Sequence, residues 1–201
     1  MARAKSYHKK DLRRDLLNAG REFVSRNGHS SLSLRGLAQQ VGVTTAAPYH
    51  HFSDRRALLL ALALEGFEEL IDGAQAVDTA NLSPLDQLIN MGQAFLEFAY
   101  SQPRMMELMY ESELTNPTVD PVLLEYQQKG YKALLGAVTK AMPDAPFDDR
   151  SMRVMGYWST IYGLALLRNK QLIQPYDPLS RAPRDIDHAL VARSARAALD
   201  A

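Results

Sequence analysis

Side chains that could bind an anion are concentrated in the first sixty positions. Residues 1–60 carry 11 Lys and Arg side chains against 4 Asp and Glu, whereas the rest of the 201-residue chain carries 12 against 19. A basic segment joined to an acidic one suits a polyanion-binding module attached to a body that stays away from the polyanion. A solvated basic tail is the alternative, and charge alone does not separate the two.

Within this basic segment, residues 31–59 (SLSLRGLAQQVGVTTAAPYHHFSDRRALL) have the spacing of two short helices joined by a sharp turn. Ser33 can cap a helix over 34–41, Gly42 can supply the positive φ of the turn, and Thr44 can cap a second helix running to about His51. The first turns of such a helix attract phosphate and fit the major groove of DNA. The residues expected to pack beneath the turn are Leu34, Leu37, Ala38 and Val43, with Phe52 in the core.

The elements that must hold this motif are helices, because no stretch alternates β-branched residues at period two. Helix starts are predicted at Ser53-Asp54, Ser83-Pro84 and Asp120-Pro121, where a capping side chain comes before the first helical residue. Their order predicts an all-α chain of about nine helices. The predicted long helices and the short one at Pro103 cover residues 11–27, 57–71, 85–101, 103–110, 121–141, 149–172 and 185–199.

Several classes of function are disfavoured by what the sequence lacks. It has no cysteine and no GxGxxG, Walker-type, HExxH or GxSxG element, so we expect no enzyme and no cofactor. His50 and His51 point in different directions on a helix, so we expect no metal site. The charged N-terminus and the short apolar run 57–64 predict neither export nor a membrane span, and therefore a cytoplasmic protein.

The motif resembles the tetracycline-repressor (TetR) family of regulators over residues 11–63. The resemblance rests on residues at fixed spacing: Leu37-Ala38, Gly42-Val43, Thr44, Tyr49, His51, Phe52 and Arg55. It implies an N-terminal three-helix helix-turn-helix domain in residues 1–55 that binds DNA. It also implies a helical ligand-binding and dimerisation domain in residues 56–201.

The resemblance further implies which residues meet DNA. Tyr49 and His51 would lie along the backbone, Thr45 and Ala46 would face base edges, and Arg55 would contact phosphate where most members carry lysine. Tyr49 could instead simply pack, the basic side chains near the N-terminus could be a solvated face, and Pro48 predicts an irregular start to the recognition helix. The residues expected to contact DNA are Lys9, Lys10, Arg13, Ser33, Arg35, Thr44, Thr45, Ala46, Tyr49, His50, His51 and Arg55.

The later segment YWSTIYGLALL resembles the subgroup whose C-terminal domain is named for a Trp-His-Gly signature. The sequence departs from that signature at Tyr162-Gly163, where the subgroup has His before Gly. The role of that histidine therefore cannot be transferred to this chain.

The C-terminal part is rich in Met and aromatic residues, which form core more often than binding sites. Methionine repacks easily and tyrosine hydroxyls supply polar anchors, so part of this set could line an apolar effector site. The candidates are Met91, Phe95, Phe98, Met105, Met106, Met109, Tyr110, Tyr126, Tyr131, Met155, Trp158 and Tyr162.

Small residues on two late helices suggest a homodimer. Gly156, Ser159 and Gly163 share one side of the 149–172 helix, and alanines recur at 189, 192, 195 and 198. Such surfaces could pair across a two-fold axis or pack within one subunit.

Together these features predict a ligand-responsive transcription regulator. The expected form is a homodimeric repressor that leaves its double-stranded DNA operator when a small apolar or amphipathic molecule displaces the 57–71 helix. An architectural DNA-binding dimer without an effector is the alternative.

Overall fold

All regular structure in the described part of the chain is helical. The computed structural model describes residues 9–75, 81–116, 118–172 and 182–200. None of the helices in these ranges is long and apolar enough to cross a membrane. The elements in chain order are α1 (Lys9–Asn27), α2 (Leu34–Val41), a 3-10 helix (Ala47–His50), α3 (Arg55–Gln75), α4 (Pro84–Ser101), α5 (Pro103–Tyr110), α6 (Pro121–Ala141), α7 (Phe147–Asn169) and α8 (Pro183–Leu199).

The predicted capping residues start their helices. The Ser33 Oγ accepts the Gly36 N–H at 3.1 Å, and the Ser83 Oγ accepts the Asp86 N–H at 3.1 Å. Asp54 and Asp120 cap α3 and α6 through the N–H groups of Ala57 and Val122, at 2.8 and 3.1 Å. These side chains satisfy donors that a helix N-terminus leaves without intrahelical partners.

Gly42 ends α2 as predicted. Its φ of 79° and ψ of 32° lie in the left-handed region, and its N–H reaches the carbonyls of Ala38 and Gln39. The N–H of Val43 then bonds the Ala38 carbonyl at 2.9 Å. Residues with a Cβ are strained in this conformation, so glycine permits the reversal without strain.

The prediction that Thr44 caps the second helix of the motif, running to about His51, was wrong. The chain instead makes one 3-10 turn over Ala47–His50, which has no side-chain cap. Because Pro48 has no N–H, it cannot bond back to the Thr44 carbonyl, and that carbonyl accepts the Ala47 N–H at 3.0 Å. The irregularity predicted at Pro48 therefore extends through the whole recognition element.

The predicted boundaries of the last two helices were also too short at their starts. α7 begins at Phe147, directly after Pro146, and includes Asp148 and Asp149 in its first turn. These acids suit the positive end of the helix dipole, so the helix starts before the predicted residue 149, and it ends at Asn169, before the predicted residue 172. α8 begins at Pro183, a residue well suited to the first helical position.

The helices form two compact units. The first joins the described residues up to Phe67 with Gln102–Leu124, and the second joins Glu68–Ser101 with the described residues from Glu125 onwards. The first unit therefore contains the helix-turn-helix together with α5 and the segment that follows it. The predicted division at residue 55 separates residues expected to bind DNA from residues expected to bind an effector, and it stays a prediction.

In the second unit, α4, α7 and α8 pack around one another. Gly92 of α4 makes room for this packing, because a Cβ there would overlap the Tyr157 hydroxyl and come within 2.9 Å of Val191. The Tyr157 hydroxyl donates to the Leu88 carbonyl at 2.5 Å, and burial raises the pKa of Tyr157.

A buried carboxylate adds polar contacts to the same three helices. Asp187 of α8 accepts from the Tyr100 hydroxyl at 3.0 Å and from Arg168 Nη2 at 2.9 Å. Burial and the neighbouring Asp187 raise the pKa of Tyr100. Since Asp187 is only 4% exposed, these partners replace the water that its charge loses on folding.

The conformation of Gly42 gives a direct test of the turn. Gly42→Ala should lower the free energy of unfolding by about 1–2 kcal/mol, because alanine is strained at positive φ. Urea denaturation measures this change. Gly73→Ala in α3 is the matched control, since a Cβ there meets nothing within 4 Å in the described part of the chain. The control should stabilise by about 0.5–1 kcal/mol, and equal effects at both sites would contradict the strained turn.

Candidate DNA-binding surface

The helix-turn-helix stands on a core shared by α1, α2 and the 3-10 helix. Leu16 of α1 and Leu37 and Ala38 of α2 are all 1% exposed or less. Pro48 is buried from the 3-10 helix, and its carbonyl accepts the N–H groups of His51 and Phe52 at 2.9 and 3.0 Å. Because Pro48 and Phe52 point inward, the residues around them are fixed in place.

The turn and the 3-10 helix present exposed residues on both sides of the buried Pro48. Thr44, Thr45 and Ala46 are exposed, and so are Tyr49, at 49%, and His50. His51 is half-buried beside them. The structure therefore brings together the residues that were predicted to face DNA from the recognition element.

The residues in and next to α1 and α2 that were predicted to contact DNA differ in their exposure and in their partners. Arg35 is exposed near the start of α2, whereas the Ser33 hydroxyl is engaged as the helix cap. The Arg13 guanidinium lies 5.4 Å from the centroid of the Phe52 ring, which holds this cation beside the turn. Lys9 and Lys10 belong to the first turn of α1, and their side chains lie outside the described part of the structure.

Arg55 has protein partners on each guanidinium nitrogen. Its Nε donates to the Leu32 carbonyl at 2.8 Å, and its Nη2 donates to the carbonyls of His29 and Ser30 at 2.7 and 3.1 Å. Its Nη1 pairs with the Glu113 carboxylate. Four of its five N–H donors are thereby engaged. The phosphate contact implied for Arg55 stays a prediction.

His29 lies beside Arg55 in the same cluster. Its Nε2 is 3.9 Å from Glu113 Oε2, and its Nδ1 is buried without a hydrogen-bond partner among the described residues. Burial, and then the charge of Arg55, lower the pKa of His29. Because the His29 imidazole is then neutral, it adds no second positive charge beside the Arg55 guanidinium.

Sequence reasoning missed the acidic partners of this cluster. Glu113 and Asp120 were treated as part of an acidic body, but both lie in the first unit and contact Arg55 and Arg56. Two adjacent arginines in the first turn of a helix oppose its dipole, and this was the one available signal that acids must be nearby.

Four predicted effector residues lie on α5 in the first unit. Met105, Met106 and Met109 are buried there, and the ring of Tyr110 lies 5.5 Å from that of Phe67. A Cβ at Gly66 would come within 2.8 Å of the Met109 sulfur, so α5 packs closely on the α3 backbone. In the described structure these methionines belong to the core of the first unit.

The other eight candidates lie in the second unit and are more dispersed. Phe95, Trp158 and Tyr162 form a ring cluster, with the Phe95 and Trp158 centroids 4.7 Å apart in an edge-to-face arrangement. Tyr126 donates to Glu68 at 3.0 Å, and Met155 is 52% exposed. The remaining three are Phe98, which is buried, and Met91 and Tyr131, which are half-buried.

The described residues contain no group of three or more His, Cys, Asp and Glu side chains that could hold a metal ion. His50 and His51 therefore have no further metal-ligating side chains grouped with them in the part of the chain that is described. The surface consists of hydroxyl, imidazole, phenol and guanidinium groups. These groups can donate hydrogen bonds to phosphate and base edges.

The N-terminal region that carries this surface is similar to known proteins. The family model described as "Bacterial regulatory proteins, tetR family" matches residues 16–62. The HTH-type transcriptional regulator UidR of Escherichia coli is 36% identical over 70 residues, covering 31% of this chain and 36% of the relative. The match thus spans about a third of the length of that relative.

Solved structures extend the similarity to the whole fold. A protein of unknown function from Rhodococcus sp. RHA1 is 28% identical, with a TM-score of 0.78 over 98% of this chain and 97% of the other. A tetR-family regulatory protein from Rhodococcus RHA1 shares the fold at 19% identity, with a TM-score of 0.67 over 94% and 97%. The Trp-His-Gly subgroup stays a prediction. The N-terminal helix-turn-helix of this chain therefore matches the tetR family model, and the chain shares its all-helical fold with a tetR-family regulatory protein.

Proposed function

We propose that this protein is a transcription regulator that binds double-stranded DNA through the surface around Thr45. The observation that carries the proposal is that Thr44–Ala46 and Tyr49–His50 are exposed, while Pro48 and Phe52 are buried beneath them. A rigid support is what base reading requires, because direct contacts need side chains held in register with the groove. Chromosomal DNA as the target makes the bacterial cytoplasm the proposed location.

In this proposal the contacts divide into two kinds. Thr45 and Ala46 read base edges, where a hydroxyl can bond either base type and a methyl group can meet thymine. Arg13, Arg35, Tyr49 and His50 contact the phosphate backbone, which supplies affinity without sequence information. His51 is half-buried, so its proposed contribution is confined to one edge of its ring.

A single arginine tests the phosphate role. Arg35→Met should lower the slope of log affinity against log salt concentration by ~0.9, because one phosphate contact is lost. The binding partner is a duplex selected by the wild-type chain from a random-sequence pool, and fluorescence anisotropy gives the affinity. Lys132→Met removes an exposed cation from α6 and serves as the control, with no change of slope expected. A wild-type chain with no salt-dependent binding to any duplex would refute the proposed function.

We further propose that two copies associate through α7. Met152, Met155 and Leu167 are exposed at 67%, 52% and 42%, and between them a Cβ at Gly156 or Gly163 would meet nothing within 4 Å in the described structure. Exposed apolar side chains on either side of glycines let a helix from a second copy approach closely. A dimer would also carry two helix-turn-helix units, which could occupy the two half-sites of an operator.

The alanines of α8 contribute less to this surface than their spacing predicted. Ala195 and Ala198 are buried within the chain, in register with Val191 and Asp187. This side of α8 packs inside its own subunit, which is the second of the two arrangements that the sequence left open for these alanines. Leu190, which is 38% exposed, is a large apolar residue of α8 that remains available.

A charge on the α7 face should separate the copies. Met155→Glu places two carboxylates near the proposed two-fold axis, so we expect a monomer by sedimentation equilibrium at concentrations where the wild type is a dimer. Leu124→Glu on α6 is the control, because Leu124 is exposed to a similar degree at 42%. A monomeric wild type, or an unaffected dimer in the α7 variant, would remove α7 from this role.

We propose that the effector of a regulator of this kind binds beside Phe95, Trp158 and Tyr162. Trp158 and Tyr162 are half-buried, and their ring centroids lie 6.0 Å apart. Aromatic faces with a hydroxyl at one edge suit an apolar or amphipathic ligand. Release of the operator on ligand binding, as in a repressor, is the proposed response.

The single tryptophan of the chain reports on this cluster. Titration with a library of apolar compounds should identify ligands that change Trp158 fluorescence and also weaken binding to the selected duplex, by about 5- to 150-fold. Tyr162→Ala should weaken such a ligand, whereas Tyr131→Ala, on α6, serves as the control. Ligands that change duplex affinity but leave the fluorescence unchanged would place the effector elsewhere. If no compound changes duplex affinity, an architectural DNA-binding dimer becomes the better interpretation.

A further inference from the structure

The two arginines that open α3 join segments that are far apart in sequence. Arg55 binds the carbonyls of His29, Ser30 and Leu32 in the turn between α1 and α2, and it pairs with Glu113 in the segment after α5. All of these residues belong to the first unit. One guanidinium therefore connects the start of the helix-turn-helix with residues 111–120, of which the structure describes all but position 117.

Arg56 makes a second connection to the same segment. Its Nη1 donates to the Glu113 carbonyl at 2.6 Å, and its Nη2 lies 3.0 Å from Asp120 Oδ2. The other oxygen of Asp120 caps α6 by accepting the Val122 N–H. The carboxylate of Asp120 thus serves the start of α6 and the start of α3 together.

The segment that these arginines hold is closed on itself by hydrogen bonds. The Ser112 Oγ donates to the Leu108 carbonyl at 2.7 Å and accepts the Leu114 N–H at 3.1 Å. The Asp120 N–H donates to the Leu114 carbonyl at 2.8 Å. Leu114 and Ser112 are buried, so this segment packs on the first unit through these two side chains.

The chemistry of arginine accounts for the residue type at position 55. A guanidinium directs donors from three nitrogens, whereas a lysine ammonium directs all of its donors from one point. The acceptors around Arg55 lie against all three nitrogens. Two cations in the first turn also oppose the helix dipole, and the charges of Asp54, Glu113 and Asp120 compensate for this.

We propose that Arg55 and Arg56 are positioning residues that fix residues 111–120 on the helix-turn-helix, an arrangement called here the arginine latch. The latch keeps the surface around Thr45 in one orientation. In this role Arg55 does not contact phosphate. The effect on DNA rests on the proposed function, whereas the holding of residues 111–120 can be measured without DNA.

Arg55→Lys and Glu113→Gln separate the latch from a phosphate contact. The latch predicts that both variants raise amide hydrogen exchange at Leu114 and Asp120 by about 5- to 10-fold, since partly exposed ion pairs contribute on the order of 1 kcal/mol. It also predicts weaker binding to the selected duplex with an unchanged salt slope. A phosphate contact instead predicts unchanged affinity for Arg55→Lys, and tighter binding when Glu113→Gln frees the arginine.

The control for lost negative charge is Glu125→Gln, on an exposed position of α6. It should leave amide exchange at Leu114 unchanged. If Arg55→Lys leaves both exchange and duplex affinity at the wild-type values, or if Glu113→Gln binds DNA more tightly than Glu125→Gln does, the latch is refuted.

A double-mutant cycle tests the second arginine. Arg56→Met removes the cation, and Asp120→Asn removes the charge but keeps a residue that caps helices well. Arg56→Met removes the contacts to the Glu113 carbonyl and to Asp120, so the latch predicts that the double variant exchanges at Leu114 no faster than Arg56→Met alone. Effects that multiply would show that the two residues act independently and would overturn the pairing.

Failure of the proposed function has a different signature. A wild-type chain without salt-dependent DNA binding would refute the regulator, whereas the exchange rates of the same variants would still decide whether residues 111–120 are held by the arginines. Circular dichroism of each variant establishes that a faster exchange reflects local opening and not global unfolding.

Discussion

The helix-turn-helix depends on one backbone conformation, the left-handed φ of Gly42. The reversal there lets the chain leave α2 and return across it, with Val43 bonded back to Ala38. Pro48 imposes the next constraint, because its missing N–H replaces an α-helical turn with a 3-10 turn. The exposed surface follows from both, since Pro48 and Phe52 point inward and leave Thr45 and Tyr49 outside.

The distribution of charge has a different meaning in the folded chain than in the sequence. The sequence divides into a basic head and an acidic remainder, which favours polyanion binding by the head. In the fold, Glu113 and Asp120 from the acidic remainder pair with Arg55 and Arg56 of the head. Part of the positive charge is therefore neutralised locally, and the cation left exposed on α2 is Arg35.

Local signals made most of the fold predictable. Ser33, Ser83 and Asp120 act on N–H groups two or three residues away, so the sequence alone contains the whole interaction. Thr44 failed because Pro48, four residues on, removed the bond that its helix needed. The spacing that resembles a known family also singled out residues that are exposed in the structure, such as Thr45 and Tyr49, and their contact with DNA stays a prediction.

Contacts between distant residues were not predictable in the same way. Arg55 and Glu113 are separated by 58 positions, and Tyr100 and Asp187 by 87. No periodicity records such a pair, and an aspartate in a helix is usually exposed. The burial of Met105 and Met109 was equally hidden, because a methionine-rich helix has the same sequence whether it lines a cavity or fills a core.

The Asp187 carboxylate joins three helices of the second unit and limits which of their faces stay exposed. Arg168 near the end of α7 and Tyr100 near the end of α4 both bind the Asp187 carboxylate, which fixes α8 against these helices. The side of α8 that carries Val191, Ala195 and Ala198 is thereby committed to its own subunit. The surface proposed for a second copy is the face of α7, where a Cβ on the glycines would meet open space between exposed methionine and leucine side chains. The Asp187 carboxylate is buried, so a reorientation of α7 that moved Arg168 away would leave this charge without its partner, and α7 can therefore hold an exposed apolar face in a fixed orientation.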